Sequence, residues 1–222
     1  MSLLSILAFG LVLGIRHATD ADHVVAMTTL VTRQQNTRAA MLLGALWGAG
    51  HSLTILVVGG AIILLGVVVP PWLGLSLELG VGLMLIALGA LSLRGVTHAH
   101  PASGDAAPGA QPPRSLRSFV VGVVHGLAGS AAVALLVLST IRDTGWAFLY
   151  LALFGVGTVA GMMLLTTALS LPLAAAARRF GAIERSIGGV MGAVSMAFGL
   201  FLVYQIGFVD GLFGSSPSWN PH

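Results

Sequence analysis

Arg16-His17-Ala18-Thr19-Asp20-Ala21-Asp22-His23 lies in the middle of an apolar run that reaches from about residue 2 to residue 31. On insertion scales a charged residue at mid-bilayer costs roughly 2.5–3.5 kcal/mol, so Arg16, Asp20 and Asp22 unpaired would cost on the order of 8–10 kcal/mol. A membrane helix carries such groups when they pair with one another, face water or hold a cation. Two imidazoles and two carboxylates so close together form a donor set that suits Ni, Co, Zn or Mn. The stretch reads as a metal-ion site inside a membrane.

Composition agrees with a membrane setting. Mean hydropathy is +0.97, with 56% hydrophobic and 8% charged residues. A soluble domain carries about 25% charged residues. Thirty glycines suit closely packed transmembrane helices. The chain has no cysteine, which excludes disulfides, Fe–S clusters and thiol relays. A pI near 10.6 reflects a formal excess of only +3, carried entirely by arginines placed mostly at helix ends. Those are topology charges, and no nucleic-acid partner is expected.

Working outward, six apolar segments are each long enough for the ~20 residues a bilayer requires. They cover roughly residues 2–31, 39–69, 75–93, 118–140, 145–177 and 186–208. As one helix the first would be about 45 Å long, against a hydrocarbon core of about 30 Å. It is expected to break at the polar motif. The fold class is therefore an all-α integral membrane protein of six spans. The expected organisation is a first three-helix half (1–94), a flexible cytoplasmic connector rich in Gly, Ala and Pro (95–117), a second half (118–208) and a short tail (209–222).

Arginines set the orientation. Arg33, Arg38, Arg94, Arg114, Arg117, Arg178, Arg179 and Arg185 all fall in odd-numbered connections, and only Arg142 falls in an even one. By the positive-inside rule the odd connections are cytoplasmic and both termini lie outside. The halves also repeat. Gly14-Ile15-Arg16-His17 aligns with Gly122-Val123-Val124-His125, and Trp47-Gly48-Ala49-Gly50-His51 with Phe154-Gly155-Val156-Gly157-Thr158. Glu78 then falls opposite Glu184 and Gly82 opposite Gly188. Three segments per half means that the second half is inserted upside down, a plan common among secondary transporters with midplane sites.

At 100° per residue His17, Asp20 and His23 share one side of a helix. Asp22 points away from them unless the helix unwinds there. His51, among glycines in the second segment, is placed to complete a ligand set. His125, the repeat partner of His17, is a further ligand, a gate or a proton acceptor. Arg16 is the expected counter-ion for the aspartates. Glu78 and Glu184 sit near helix starts, where the helix dipole alone explains an acidic residue. His98 and His100 in the connector are expected to be ordinary loop histidines, and Met162-Met163 to be packing.

The motif His17-x4-Asp22-His23 resembles the His-x4-Asp-His element of the nickel/cobalt transporter superfamily, and Leu46-Trp47-Gly48-Ala49-Gly50-His51-Ser52 resembles its second element. The likeness is specific over about residues 10–60. It implies carriage of divalent nickel or cobalt across the cytoplasmic (inner) membrane, with His17, Asp22, His23 and His51 involved. Six segments instead of eight make the chain similar to the short urease-accessory branch, which implies nickel-enzyme maturation factors as partners. The lack of a long His-rich loop favours uptake over efflux. A remote kinship with thiol-transferring membrane proteins brings no thiol chemistry to a chain without cysteine.

The expectation is thus a permease for Ni2+ or Co2+, the substrate, with no resident cofactor. Its metal residues are His17, Asp20, Asp22, His23, His51 and His125, and its other contact is membrane lipid. Efflux through the same site is one alternative. An intramembrane enzyme using a bound metal or Ser130 with His125 is the other. It lacks His-Glu-x-x-His, Gly129-Ser130 has no following glycine, and no Walker loop is present. Sequence gives no oligomeric state.

Overall fold

The structure is a computed structural model that describes residues 3–32, 36–66, 70–97, 114–127, 141, 143–179, 183–214 and 217–219. Among these residues every regular element is helical. The helices are α1 (Leu3–His17), α2 (Ala21–Val31), α3 (Thr37–Leu65), α4 (Pro71–Thr97), α5 (Arg114–Leu127), α6 (Thr144–Arg179) and α7 (Ile183–Tyr204). A short π-helical turn, Gln205–Val209, continues α7. Helices follow from the solvent: where lipid offers no hydrogen bonds, each segment must satisfy its own backbone.

Four of the helices are long and apolar enough to cross a membrane, and a fifth span results if α1 and α2 count as one crossing bent by 53°. The chain is a multi-pass membrane protein. The expected fourth segment is described only as the apolar helix α5, because residues 128–140 lie outside the described residues. So do His98, His100 and the middle of the expected connector. α4 runs on to Thr97 and α5 begins at Arg114, so helix enters both ends of that connector.

Local chemistry sets the helix ends. The Asn36 side chain accepts from the Arg38 backbone N–H at 2.9 Å to start α3, and Gly66 ends it in the left-handed region at φ 60°. Pro71 occupies the first position of α4, where its missing N–H costs nothing. The Asp143 carboxylate accepts from the Trp146 N–H at 3.0 Å and starts α6.

Packing is led by four helix pairs: α3 with α6, α4 with α7, α3 with α5, and α1 with α6. The last two run parallel, since Gly10 and Gly14 meet Tyr150 and Phe154 in step, while Gly122 and Gly126 meet Trp47 and His51 in step. The first two run antiparallel: Gly48 meets Val159 while Gly60 meets Phe148, and Gly82 meets Gly199 while Gly89 meets Gly192. A Cβ on Gly14 would run into the Phe154 carbonyl, and one on Gly122 into the Trp47 carbonyl. Hydroxyls fasten the same seams. Ser118 Oγ donates to the Leu43 carbonyl at 2.7 Å, Thr54 Oγ1 to that of Val123 at 3.1 Å, and Ser195 Oγ to that of Leu85 at 2.9 Å. Such bonds average about 0.6 kcal/mol in a bilayer protein, so close backbone packing supplies most of the association.

Large apolar side chains such as Leu42, Val57, Leu64 and Val156 face outward, while four histidines are buried. That arrangement inverts a soluble protein's and fits a lipid-facing surface around a polar centre.

Candidate metal centre

The polar motif breaks its helix. After His17 the chain turns through Ala18–Asp20, with the Asp20 N–H donating to the His17 carbonyl at 3.1 Å and the Thr19 N–H to that of Arg16 at 2.8 Å. Asp20 has extended backbone angles (φ −61°, ψ 148°) and starts α2. Its carboxylate does not cap α2, because it is bonded to His17 Nδ1 at 2.8 Å. Asp22 sits in the first turn of α2, where the helix dipole favours a carboxylate.

This break decides which acidic residue enters the cluster. On an unbroken helix Asp22 would face away from the histidines. Instead its Oδ1 lies 3.1 Å from His23 Nδ1 and its Oδ2 lies 2.9 Å from His125 Nε2. Asp22's side chain is 17% exposed and that of Asp20 is 42% exposed. Asp20 touches the group only through His17.

Four imidazoles meet here from α1, α2, α3 and α5. His17 Nε2 and His51 Nε2 are 2.8 Å apart. The His23 ring centroid lies 4.7 Å from that of His17, 5.0 Å from that of His51 and 4.6 Å from that of His125. His23, His51 and His125 are fully buried and His17 nearly so. His23 Nε2, His51 Nδ1 and His125 Nδ1 are buried with no hydrogen-bond partner. Leaving such atoms unpaired costs roughly 1–3 kcal/mol each.

Two donor triads result, His17–His23–His51 and Asp22–His23–His125, each with one ligand atom per residue and all three atoms within 4.8 Å of one another. Imidazole nitrogens suit a borderline divalent ion, and one carboxylate offsets part of its charge. Two nitrogens bound at about 2.0–2.1 Å and at right angles to each other would stand about 2.9 Å apart. The His17–His51 pair already has that spacing.

Arg16 departs from expectation. It is exposed, and among the described residues it forms no ion pair with either aspartate. Sequence reading also missed the aromatic lining. Trp47 packs beside His23 and His125, with ring centroids 6.1 and 5.3 Å away, and Phe154 packs 5.5 Å from His17. Both positions stood in the repeat alignment, and Trp47 in the second family element, but neither was read as lining the site. Ser130 lies outside the described residues, and Met162 is a packed core residue.

Comparison with known proteins places the chain. It is 36% identical over 221 residues to the urease accessory protein UreH of Bacillus sp. (strain TB-90), covering 96% of each chain. The chain belongs to the UreH family of urease accessory proteins. The match covers 96% of the chain, so the kinship inferred from the motif around residues 10–60 extends well beyond it. No family model matches the sequence. No solved structure matches it either.

Proposed function

We propose that this UreH-family protein is a permease for a divalent transition-metal ion, with nickel as its principal substrate and cobalt as a second, working in uptake across the cytoplasmic membrane. One observation carries the reading. Four imidazoles and a carboxylate from four separate helices converge in the buried interior of an apolar bundle, with three ring nitrogens left unpartnered. A chain bears that desolvation for function, because intramembrane ionisable groups line ion pathways. The relative's urease-accessory name points to nickel among the candidate ions.

In this reading His17, His23, His51 and His125 are the nitrogen ligands, Asp22 is the charged ligand, and Asp20 orients His17. Six spans in two inverted halves complete the proposal, with the unit described by α5 crossing as the mate of the α1–α2 pair. The pairing pattern supports it. Corresponding helices α3 and α6, and α4 and α7, run antiparallel, as inversion requires. The α1–α6 and α3–α5 contacts are each other's repeat image, down to Gly14 on Phe154 and Gly122 on Trp47. The arginine bias puts both termini outside. Urease-type maturation factors, which consume nickel, are the partners that fit the family.

Metal flux into proteoliposomes tests the function. Ni2+ and Co2+ should be carried, Mn2+ should compete poorly and Mg2+ hardly at all, following nitrogen-ligand preference. Excess Mg2+ blocking flux as well as Co2+ does would remove the histidines from the ligand set and end the nickel/cobalt assignment.

A further inference from the structure

The two triads share one residue. His23 Nδ1 faces Asp22, whose other oxygen reaches His125, while His23 Nε2 has no hydrogen-bond partner. The rings of His17 and His51 stand edge-on to His23, with their own Nε2 atoms 2.8 Å apart. His51 and His125 are farther apart, at 6.4 Å between ring centroids. Among the described residues the ligand atoms group as two triads within 4.8 Å, with no set of four that close together. The cluster is two adjoining stations hinged on one imidazole.

The ends of the cluster differ as well. Phe154 lies against His17, and Trp47 lies against His125 and His23. α6 runs parallel to α1, and α3 runs antiparallel to α6. Helical side chains lean toward the start of their own helix. Phe154 therefore leans toward the end of the bundle where α1 begins, and Trp47 toward the end where α3 begins. Both are buried, 2% and 1% exposed. Phe154 thus stands beside the first station and Trp47 beside the second, where it also touches the shared His23.

We infer that the ion crosses the centre of the membrane by ligand exchange between two stations, His17–His51–His23 on the Phe154 side and His23–Asp22–His125 on the Trp47 side, with His23 common to both. This rests on the permease reading and adds a path to it. At the first station His23 binds through Nε2 while its Nδ1–H donates to Asp22. At the second, Asp22 and His125 take the ion beside the same imidazole. Two divalent ions so close would repel strongly, so one ion occupies the pair at a time. Neither station needs to hold the ion tightly, since passage requires leaving as well as entering.

The test compares binding and flux on the full-length protein, using Co2+ as the probe in detergent and in proteoliposomes. His23→Ala should abolish specific Co2+ binding. His125→Ala should keep Co2+ affinity within about tenfold of wild type, because the first station is whole, yet lower flux at least tenfold. His51→Ala should behave likewise through the second station. His125→Asn, which preserves size and a hydrogen bond to Asp22, provides the same reading should the alanine protein fail to fold. Loss of binding in His125→Ala and His125→Asn as complete as in His23→Ala would mean a single four-histidine site and overturn the handover. Wild-type flux in either His125 variant would do the same. If the wild-type protein binds Co2+ but carries neither Co2+ nor Ni2+, the permease reading itself falls and takes this inference with it. Flux in wild type with joint loss of binding in the variants removes the handover alone.

Discussion

At the residue scale, two aspartates two positions apart have different work because one lies in the helix break and the other just beyond it. Asp22 joins His23 to His125, whereas the more exposed Asp20 carboxylate is hydrogen-bonded, among the described residues, to His17. Asp22→Asn should therefore lower Ni2+ flux by more than about a hundredfold, while Asp20→Asn lowers it by about 10–100-fold, the range for groups that orient a ligand. Equal losses in proteoliposome uptake would show that Asp20 also touches the ion. Imidazole binds a metal only when neutral, so protons compete with the ion for this cluster. Equilibrium Co2+ binding should therefore weaken as the pH is lowered, and binding that strengthens on acidification would remove the histidines from the ligand set.

At the element scale, close backbone approach sets which helices can meet. Gly14 and Gly122 each hold a neighbouring carbonyl where a methyl group would sit, so Gly14→Ala and Gly122→Ala should each destabilise the bundle by roughly 1–3 kcal/mol, the usual cost of overpacking. Gly80→Ala, with nothing within 4 Å of a new Cβ, should leave thermal unfolding in detergent nearly unchanged. Comparable midpoints for all three proteins would mean that the α1–α6 and α3–α5 seams yield easily. The length argument for a break in the first segment holds, and with it the condition under which Asp22 can join the histidines. Turning the chain at Ala18–Asp20 carries Asp22 around to the histidines, which the i, i+3, i+6 spacing assigned to Asp20.

For the whole molecule, the helix directions and the arginine bias bear on one prediction. The chain is cysteine-free, so single cysteines at Ser76 and Ser103 can be labelled with an impermeant reagent in sealed vesicles. Ser103 belongs to the connector expected in the cytoplasm, and Ser76 is an exposed residue near the start of α4. They should label from opposite sides, Ser103 from the cytoplasmic one. Labelling of Ser103 from outside alone would reverse the orientation, and labelling of both from one side would break the alternation of spans.

Hydropathy, glycine content and the intramembrane His/Asp motif determined by themselves that this chain is helical, membrane-embedded and built around ionisable groups, because a bilayer penalises unpaired backbone and charge whatever the fold. The positions of most helices and of His17, His23 and His51 were legible for the same reason. What tertiary structure decided was who meets whom. His125 stands far along the chain from any carboxylate, yet it binds Asp22 because α5 packs parallel to α3. Arg16, adjacent to His17 in sequence, is exposed and pairs with neither aspartate. Trp47 and Phe154 flank the cluster because glycines of the opposite half let their backbones approach. Hydropathy is a property of each segment, whereas a donor set depends on helix direction, register and a single bend, which arise only when the segments pack.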